Sequence, residues 1–351
     1  MVLLAKLFLP SYLFFQLLRS RQRFIFSLKS RQTVFSSKTI LFKKTGMSGR
    51  IYVFGGAGFL GKAFCRACPD AVPCDSPERL ARSGLSGVEF DFGFDSPASL
   101  PCGKGDSAVI FSWRGYPAAH DADPVGKLSL NLSRTLDLVS WLAKRGMDGI
   151  FYASTGGAVY GNAGAAPVSE STVLNPMGFY GIGKATAEMY VSKVCHEFGV
   201  RHVVFRIGNA YGVDQIRDDL SVGFVAKTVQ TALLGKPLEI WGAGQNRRDY
   251  IHADDVAAGF LKAIENGRIP SGVYNLGSGK SFSNLEIVEK VEQVLRKKVE
   301  VVFKEARAFD VGGICLDCSK FRAASGWEPR WSLENGIREM ADCIWHAANR
   351  K

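Results

Sequence analysis

Acidic residues are missing from the first 46 positions of this 351-residue chain, which hold nine Lys or Arg and no Asp or Glu. The whole chain carries a net charge of +11, so taking away those nine leaves only +2 for the remainder. The basic charge is therefore confined to the N-terminal segment. The body lacks the positive excess that nucleic-acid binding uses, and we expect no nucleic-acid partner.

A long uninterrupted apolar run is also missing. Lys6 and Pro10 interrupt the apolar stretch at the N-terminus, which makes it marginal for spanning a bilayer. The basic leader, residues 1–46, has the Arg- and Ser-rich composition of an organelle transit peptide. Alternatively, the true start is Met47, which directly precedes the first predicted strand. We favour that alternative and expect a cytoplasmic protein, with organelle targeting left open and membrane attachment expected only if the leader is retained.

The chain has no internal repeat, no low-complexity tract in its body and no zinc-knuckle pattern. Its eight cysteines include the pairs Cys65/Cys68 and Cys315/Cys318, but these pairs lie about 250 residues apart and lack the flanking turn residues of a zinc site. Without a convincing secretory signal, disulfides are not expected. We predict thiols and no metal.

A glycine-rich turn, GGAGFLG, stands between a short β-branched and aromatic run at 51–54 and a predicted helix at 59–68. The order strand, glycine turn, helix is the one that binds a dinucleotide pyrophosphate at the helix N-terminus. The small residues allow a tight turn, close backbone approach to the phosphates and close packing of the helix. The residues expected beside the cofactor here are Gly55, Gly58, Phe59, Leu60 and Gly61.

Asp75 follows the first of these glycines by 20 residues, after a short apolar run. An acidic side chain at that distance accepts hydrogen bonds from the adenosine ribose and repels a 2′-phosphate. The pattern therefore favours NAD over NADP.

Further strands and helices alternate along the chain. Residues 107–112 and the start of 149–161 read as buried strands, and 128–145 read as an amphipathic helix. This alternation predicts an α/β protein with a doubly wound parallel sheet and helices on both faces. We expect a cofactor domain over 47–205 and a smaller C-terminal substrate-binding lobe over 206–351, with segments of the latter returning to the first domain.

Tyr180 and Lys184, in FYGIGKATAEMY, lie on one face of a predicted helix. Such a pair alone is ordinary amphipathic surface. Beside a dinucleotide turn, however, it suggests a phenol base next to a redox cofactor. The strand at 149–161 ends in Ser, Thr and Gly at the sheet edge where ligands of open α/β folds bind, so both parts are expected to face one crevice.

Seven motifs in order resemble the extended short-chain dehydrogenases, and within them the nucleotide-sugar epimerases and dehydratases typified by UDP-glucose 4-epimerase. They are GGAGFLG, STGGAVYG, Tyr180-xxx-Lys184, FRIGNAYG, RRDYIHADDVA, YNLGSGKSFS and DCSKFRAASGWEP, and they cover about residues 50–345. The resemblance implies a Rossmann-type fold, bound NAD and a UDP-linked sugar whose carbon 4 is transiently oxidised. Tyr180 would take the hydroxyl proton, with Lys184 favouring its phenolate.

The resemblance also implies roles for further residues. Asp91 and Phe92 correspond to the pair beside the adenine ring. Asn131 corresponds to an Asn that structures the cofactor pocket, although a satisfied buried amide is nearly as good an interpretation. The residues that correspond to substrate-binding positions are Asn209, Arg248, Arg307, Asp310 and Ile314. Of these, Ile314 is at the position that limits room beside carbon 2, and an Ile there leaves space for an N-acetyl group.

The chain departs from the family pattern at Gly156, where a Ser or Thr normally relays the proton. Thr155 or Ser154 is a possible substitute, or Tyr180 acts directly. Gly156 and Gly157 also offer no acid, which argues against dehydratases and decarboxylases. This leaves a 4-epimerase first, then a 4-ketosugar reductase, then a non-catalytic dinucleotide-binding sensor. The resemblance further implies a homodimer formed through helices near 128–145 and 180–197.

Overall fold

The computed structural model describes residues 49–164, 166–216, 223–306 and 312–349. Arg307 and Asp310, together with the leader, lie outside these ranges. None of the helices within them has both the length and the apolar character needed to cross a membrane.

Fourteen strands are present in the described ranges. They are β1 (Ile51–Phe54), β2 (Val72–Asp75), β3 (Val88–Glu89), β4 (Ser107–Ile110), β5 (Gly149–Thr155), β6 (Pro167–Val168), β7 (Arg201–Ile207), β8 (Asn209–Tyr211), β9 (Leu238–Trp241), β10 (Arg247–His252), β11 (Gly272–Leu276), β12 (Ser281–Ser283), β13 (Val301–Lys304) and β14 (Cys315–Leu316).

The α-helices of the same ranges are α1 (Phe59–Ala67), α2 (Pro77–Ser83), α3 (Pro117–Ala122), α4 (Pro124–Lys144), α5 (Gly156–Val159), α6 (Phe179–Glu197), α7 (Phe224–Leu234), α8 (Ala253–Glu265), α9 (Asn284–Leu295), α10 (Ser319–Ser325) and α11 (Leu333–Asn349).

Seven strands form one parallel sheet in the order β11-β7-β5-β4-β1-β2-β3. Both faces are covered, because alternate residues of β1 enter different cores. Val53 packs with Phe64 of α1 and Phe260 of α8, whereas Tyr52 packs with Leu138 of α4 and the buried side of α6. The predicted doubly wound α/β fold is confirmed.

The order of the strands reverses at β1, which pairs with β2 on one side and β4 on the other. The carboxyl ends of β1 and β4 therefore border the crevice in which open α/β sheets bind ligands. The predicted glycine turn follows β1 at this point.

A second hydrophobic cluster supports the C-terminal half. It joins α7, α9 and α11 through side chains such as Val229, Ile287 and Ile337. A three-stranded sheet, β12-β10-β8, borders this cluster, and β11 returns to the edge of the large sheet. Two residues predicted to bind substrate, Asn209 on β8 and Arg248 on β10, are thereby attached to the carboxyl end of β7.

Candidate active site

The glycine turn leaves no room for side chains. Gly55 has a φ of +82°, and a Cβ built on Gly61 would lie 2.1 Å from the carbonyl oxygen of Gly55. The first amide groups of α1, from Phe59 and Leu60 onwards, have no carbonyl partner within the helix. A helix N-terminus with such amides, beside a turn made largely of glycine, fits a pyrophosphate.

Asp75 ends β2 and is buried beside this turn. Its carboxylate accepts hydrogen bonds from the amides of Ala57, at 3.1 Å, and Ser76, at 3.0 Å. Arg79 lies 3.4 Å from the same carboxylate. The four acceptor positions of a carboxylate leave capacity for a ribose hydroxyl, so the residues present fit a dinucleotide.

At the expected adenine end, Asp91 and Phe92 have different environments. Burial opposes ionisation of Asp91, but hydrogen bonds from Arg114 and from the amide of Gly93 outweigh it and lower its pKa. The Phe92 side chain is buried in the core under α4. Only its backbone is therefore available to a ligand.

The side-chain amide of Asn131, on α4, is fully buried, and its hydrogen bonds are all with backbone groups. Its Nδ2 donates to the carbonyls of Arg114 and Lys127, and its Oδ1 accepts from the amide of Arg114. Asn131 therefore holds the segment that follows β4 at the sheet edge.

Tyr180 is half-buried near the start of α6, and burial raises its pKa to about 12. Lys184, one turn later, is 3% exposed, and burial lowers its pKa to about 7, although Glu188 opposes that shift. The ammonium donates to the carbonyl of Ala153 at 2.9 Å and to the hydroxyl of Tyr152 at 3.4 Å. Lys184 thus lies against the end of β5, and both residues of the predicted pair have strongly altered proton affinities.

The space at Gly156 is filled by another side chain. A Cβ built there would lie 2.7 Å from Cδ1 of Leu316, which is 1% exposed. The backbone amide of Leu316 donates to the buried carboxylate of Asp249 at 3.1 Å, which fixes its position. A Ser or Thr side chain at 156 would therefore require Leu316 to move.

The two candidate substitutes differ in their partners. Ser154 is buried and donates its hydroxyl to Glu188, whose carboxylate also pairs with Arg206 at 2.9 Å. Thr155 is half-buried, and its Oγ1 lies 3.8 Å from a Cβ built on Gly157. The Oδ1 of Asn209 lies 2.7 Å from the same point. Ser154 is therefore committed to the core, whereas Thr155 and Asn209 both border Gly157.

A cavity of about 300 Å³ lies next to this site in the C-terminal lobe. Its lining includes Asn209, Lys227, Trp241, Arg248 and Tyr250. Parallel pairing of β8 with β10 sets Asn209 opposite Tyr250 and so brings both substrate-side strands together. Two basic side chains and two aromatic rings suit a nucleoside diphosphate.

Ile314 is placed differently from the cavity lining. It is 1% exposed and packs with Tyr160 and Leu316 in a small cluster. Its role in limiting substrate size stays a prediction. His252 caps the N-terminus of α8, and its ring stacks on that of Trp331 with centroids 3.9 Å apart.

Sequence reasoning missed Trp113 and His120, which contact Tyr180 edge-on. It also missed Lys227 and Trp241 in the cavity. The sequence offered one signal for Trp113. It directly follows a predicted strand, and residues after the strands of an open α/β sheet lie at the edge where ligands bind.

The eight cysteines are all free thiols, and burial raises the pKa of Cys65 to about 12.

The family model for the NAD dependent epimerase/dehydratase family matches residues 100–277, about half of the chain. The chain belongs to this family. Membership confirms the predicted resemblance and NAD as the cofactor, and it makes the chain one of the NAD-dependent enzymes that act on nucleotide-sugars as epimerases, dehydratases or reductases.

Curated relatives within the NAD dependent epimerase/dehydratase family perform more than one reaction. A dTDP-4-dehydro-6-deoxyglucose reductase of Escherichia coli is 27% identical over 84% of this chain and 97% of its own length. A UDP-glucose 4-epimerase of Azospirillum brasilense is 27% identical over 85% of this chain and 92% of its own. The reaction and substrate therefore differ among relatives of equal similarity.

Solved structures from this family share the fold. The UDP-glucose 4-epimerase of Thermus thermophilus, in complex with NAD, matches with a TM-score of 0.76 and 26% identity over 85% of this chain and 99% of its own. A UDP-glucose 4-epimerase of Thermotoga maritima, with UDP-glucose, matches with a TM-score of 0.75 and 26% identity over the same shares.

Proposed function

We propose that this protein is an NAD-dependent 4-epimerase of nucleotide-sugars, either UDP-glucose and UDP-galactose or their N-acetylhexosamine analogues. The observation that carries the proposal is the placement of Tyr180 and Lys184 on α6, at the sheet edge that also holds the glycine turn. Gly156 and Gly157 place no acid beside them, which disfavours elimination of water.

NAD, when bound, supplies the hydride acceptor and donor. The glycine turn and α1 would hold its pyrophosphate, with Asp75 on its ribose. Tyr180 would take the proton of the sugar 4-hydroxyl and later return it. With a pKa raised to about 12 by burial, the phenol is protonated at neutral pH. Positive charge nearby is therefore required to favour the phenolate, and Lys184 is the residue to provide it.

A proton relay, if one operates, falls to Thr155. Leu316 fills the usual position at Gly156, and Ser154 is bonded to Glu188. Thr155 alone among the three positions combines a hydroxyl with partial exposure. On the substrate side, Arg248 and Asn209 would bind the diphosphate in the cavity of the C-terminal lobe, and Arg307 and Asp310 are proposed to complete it.

A 4-ketosugar reductase is the second candidate, favoured by the similarity to the Escherichia coli reductase over nearly the full length of that enzyme. The absence of a hydroxyl at Gly156 is compatible with it. A non-catalytic sensor is the third candidate. Altered proton affinities of both Tyr180 and Lys184 argue against a sensor, because perturbed pKa values concentrate at catalytic sites.

Purified protein separates these candidates. A 4-epimerase releases NAD on denaturation and equilibrates UDP-glucose with UDP-galactose, or the N-acetyl pair, without added cofactor. Consumption of stoichiometric NADPH with a 4-ketosugar indicates the reductase instead, and binding without turnover indicates a sensor. Comparing UDP-glucose with UDP-N-acetylglucosamine fixes the hexose.

The base is tested by Tyr180→Phe, with Tyr190→Phe, an exposed tyrosine of the same helix, as the matched control. We expect Tyr180→Phe to lower kcat by about 10²–10⁴-fold, as for loss of a general base. NAD content should remain unchanged in both variants, and Tyr190→Phe should keep its activity. Full activity of Tyr180→Phe would exclude the proposed role.

The apolar side of α6 supports a homodimer as a further part of the proposal. Phe179, Ile182, Met189 and Tyr190 are each at least 42% exposed and recur at helical spacing along one side of the helix. The opposite side of α6 is buried against α4 and the large sheet. A second copy of α4 and α6 would cover the exposed side.

A further inference from the structure

Trp113 lies just past the end of β4, in contact with both residues of the proposed catalytic pair. The Lys184 Nζ is 4.2 Å from the centroid of the Trp113 ring, which places the ammonium over an aromatic face. The Tyr180 ring meets the same indole edge-on, with centroids 6.4 Å apart. One side chain therefore touches the base and the cation together.

His120, on α3, holds the indole in place. The Nε1–H of Trp113 donates to Nε2 of His120 at 3.1 Å, and the planes of the two rings lie within 10° of parallel. An indole N–H can only donate, so Nε2 is the acceptor and the imidazole proton is on Nδ1. Burial lowers the pKa of His120, which keeps this acceptor neutral near pH 7. His120 is itself 1% exposed and meets Tyr180 edge-on.

Helix α6 has a glycine, Gly183, at the position where the Trp113 indole packs against it. A Cβ built on Gly183 would lie 3.3 Å from Cζ2 of Trp113, a separation that would push the ring away. Gly183 lies on α6 between Tyr180 and Lys184. The absence of a side chain at this position lets Trp113 pack directly against the turn that carries the pair.

Few titratable groups face Lys184, and most of them carry no charge near pH 7. The titratable groups that face it are Glu188 and Tyr180 from its own helix, Tyr152 from β5 and His120 from α3. The carboxylate of Glu188 is already bonded to Arg206 and Ser154, and the other three groups are neutral near pH 7. The aromatic face of Trp113, at 4.2 Å, therefore compensates in part for burial of the ammonium, together with the Tyr152 ring at 4.9 Å and the carbonyl of Ala153.

We infer that Trp113, anchored by His120, is a positioning residue that favours the protonated form of Lys184 beside Tyr180. The catalytic role of this charge rests on the proposed function, but the protonation of Lys184 can be measured without turnover. Lys184 then keeps its proton to higher pH than burial alone would allow, because an aromatic ring replaces part of the water that burial removes.

The test is the titration of Lys184 in full-length protein labelled with ¹³C at lysine Cε. The NMR signal is assigned by its loss in Lys184→Met. In Trp113→Leu we expect the titration midpoint to fall by about one pH unit, and in Trp113→Phe by less, since a smaller ring remains. Trp141→Leu is the matched control, because it removes an equivalent contact with Arg145 elsewhere and should leave Lys184 unchanged.

Circular dichroism confirms that each variant is folded. If Trp113→Leu does not fold, Trp113→Phe and His120→Leu carry the test, and an unchanged Lys184 midpoint in both overturns the inference. If the protein is an active epimerase, the alkaline limb of kcat should also move to lower pH in Trp113→Leu. A protein without epimerase activity overturns the proposed function and leaves the NMR result to decide the role of Trp113.

Discussion

At the scale of single residues, Gly156 and Leu316 form a matched pair in which the side chain of one occupies the space left by the other. Gly156→Ser alone should destabilise the fold by about 1–3 kcal/mol through overpacking. Leu316→Ala alone should cost about 2–5 kcal/mol through the cavity it leaves. The double variant should lose less stability than the two single variants lose together, because the serine fills part of that cavity.

Urea unfolding of the four proteins of this cycle measures the coupling between positions 156 and 316. Strict additivity would mean that the two side chains do not share this space. The same double variant restores a hydroxyl at 156, so its kcat also reports whether the site can use one.

Lys184 should give the stability a characteristic pH dependence. Its folded pKa of about 7 lies below the ordinary value of 10.5, so the unfolded chain binds more protons between these limits. Stability contributed at this position must therefore rise with pH across that window, by up to ~1.4 kcal/mol for each pH unit.

The measurement is the free energy of unfolding of the wild type minus that of Lys184→Met, from pH 6 to pH 9.5. Subtraction removes the other groups, and Tyr180, whose pKa is raised, stays protonated in this range. A difference that stays flat, or falls with rising pH, would contradict a buried amine of low proton affinity.

At the scale of elements, the β1-turn-α1 unit combines its proposed role in cofactor binding with close packing. Gly61→Ala would place a methyl 2.1 Å from the Gly55 carbonyl, so we expect a loss of about 1–3 kcal/mol of stability and weaker NAD binding as α1 is displaced. Gly267→Ala is the matched control, since a Cβ there meets open space. Thermal melts and calorimetric titration with NAD compare the two; equal behaviour would refute the steric argument.

The elements that sequence patterns predicted are those whose signals are local. The run at 51–54 became β1 as predicted, and the predicted helix at 59–68 ends one residue earlier, at Ala67. The helix predicted over 128–145 instead begins at Pro124, capped by the Asp123 side chain. An Asp-Pro pair is a recognisable start signal, so this boundary was open to prediction.

The contacts that escaped prediction join residues far apart in the chain. Leu316 reaches Gly156 only after β14 has paired with β6, and no local pattern specifies that meeting. Trp113 follows β4, yet it meets Lys184, which lies 71 residues later on α6. Family motifs supply the shared residues of the site, whereas the chain's own substitutions are interpretable only through their three-dimensional neighbours.

At the scale of the whole molecule, the exposed apolar side chains of α6 allow a test of the proposed homodimer. Met189→Glu would place a charge in the middle of the proposed interface, and we expect it to convert the homodimer to monomer at micromolar concentration. Phe303→Glu is the matched control, because Phe303 is 54% exposed on β13, away from α6. Light scattering during gel filtration gives the masses; a monomeric wild type would rule out the dimer.

The position of β11 at the edge of the large sheet has a consequence for synthesis of the protein. β11 pairs with β7, yet the chain must first supply β8, α7, β9, β10 and α8. While these segments emerge from a ribosome, the backbone groups along one side of β7 have no neighbouring strand. Unpaired strand edges promote association between chains, so we expect the open side of β7 to be prone to such association until residue 276 has emerged.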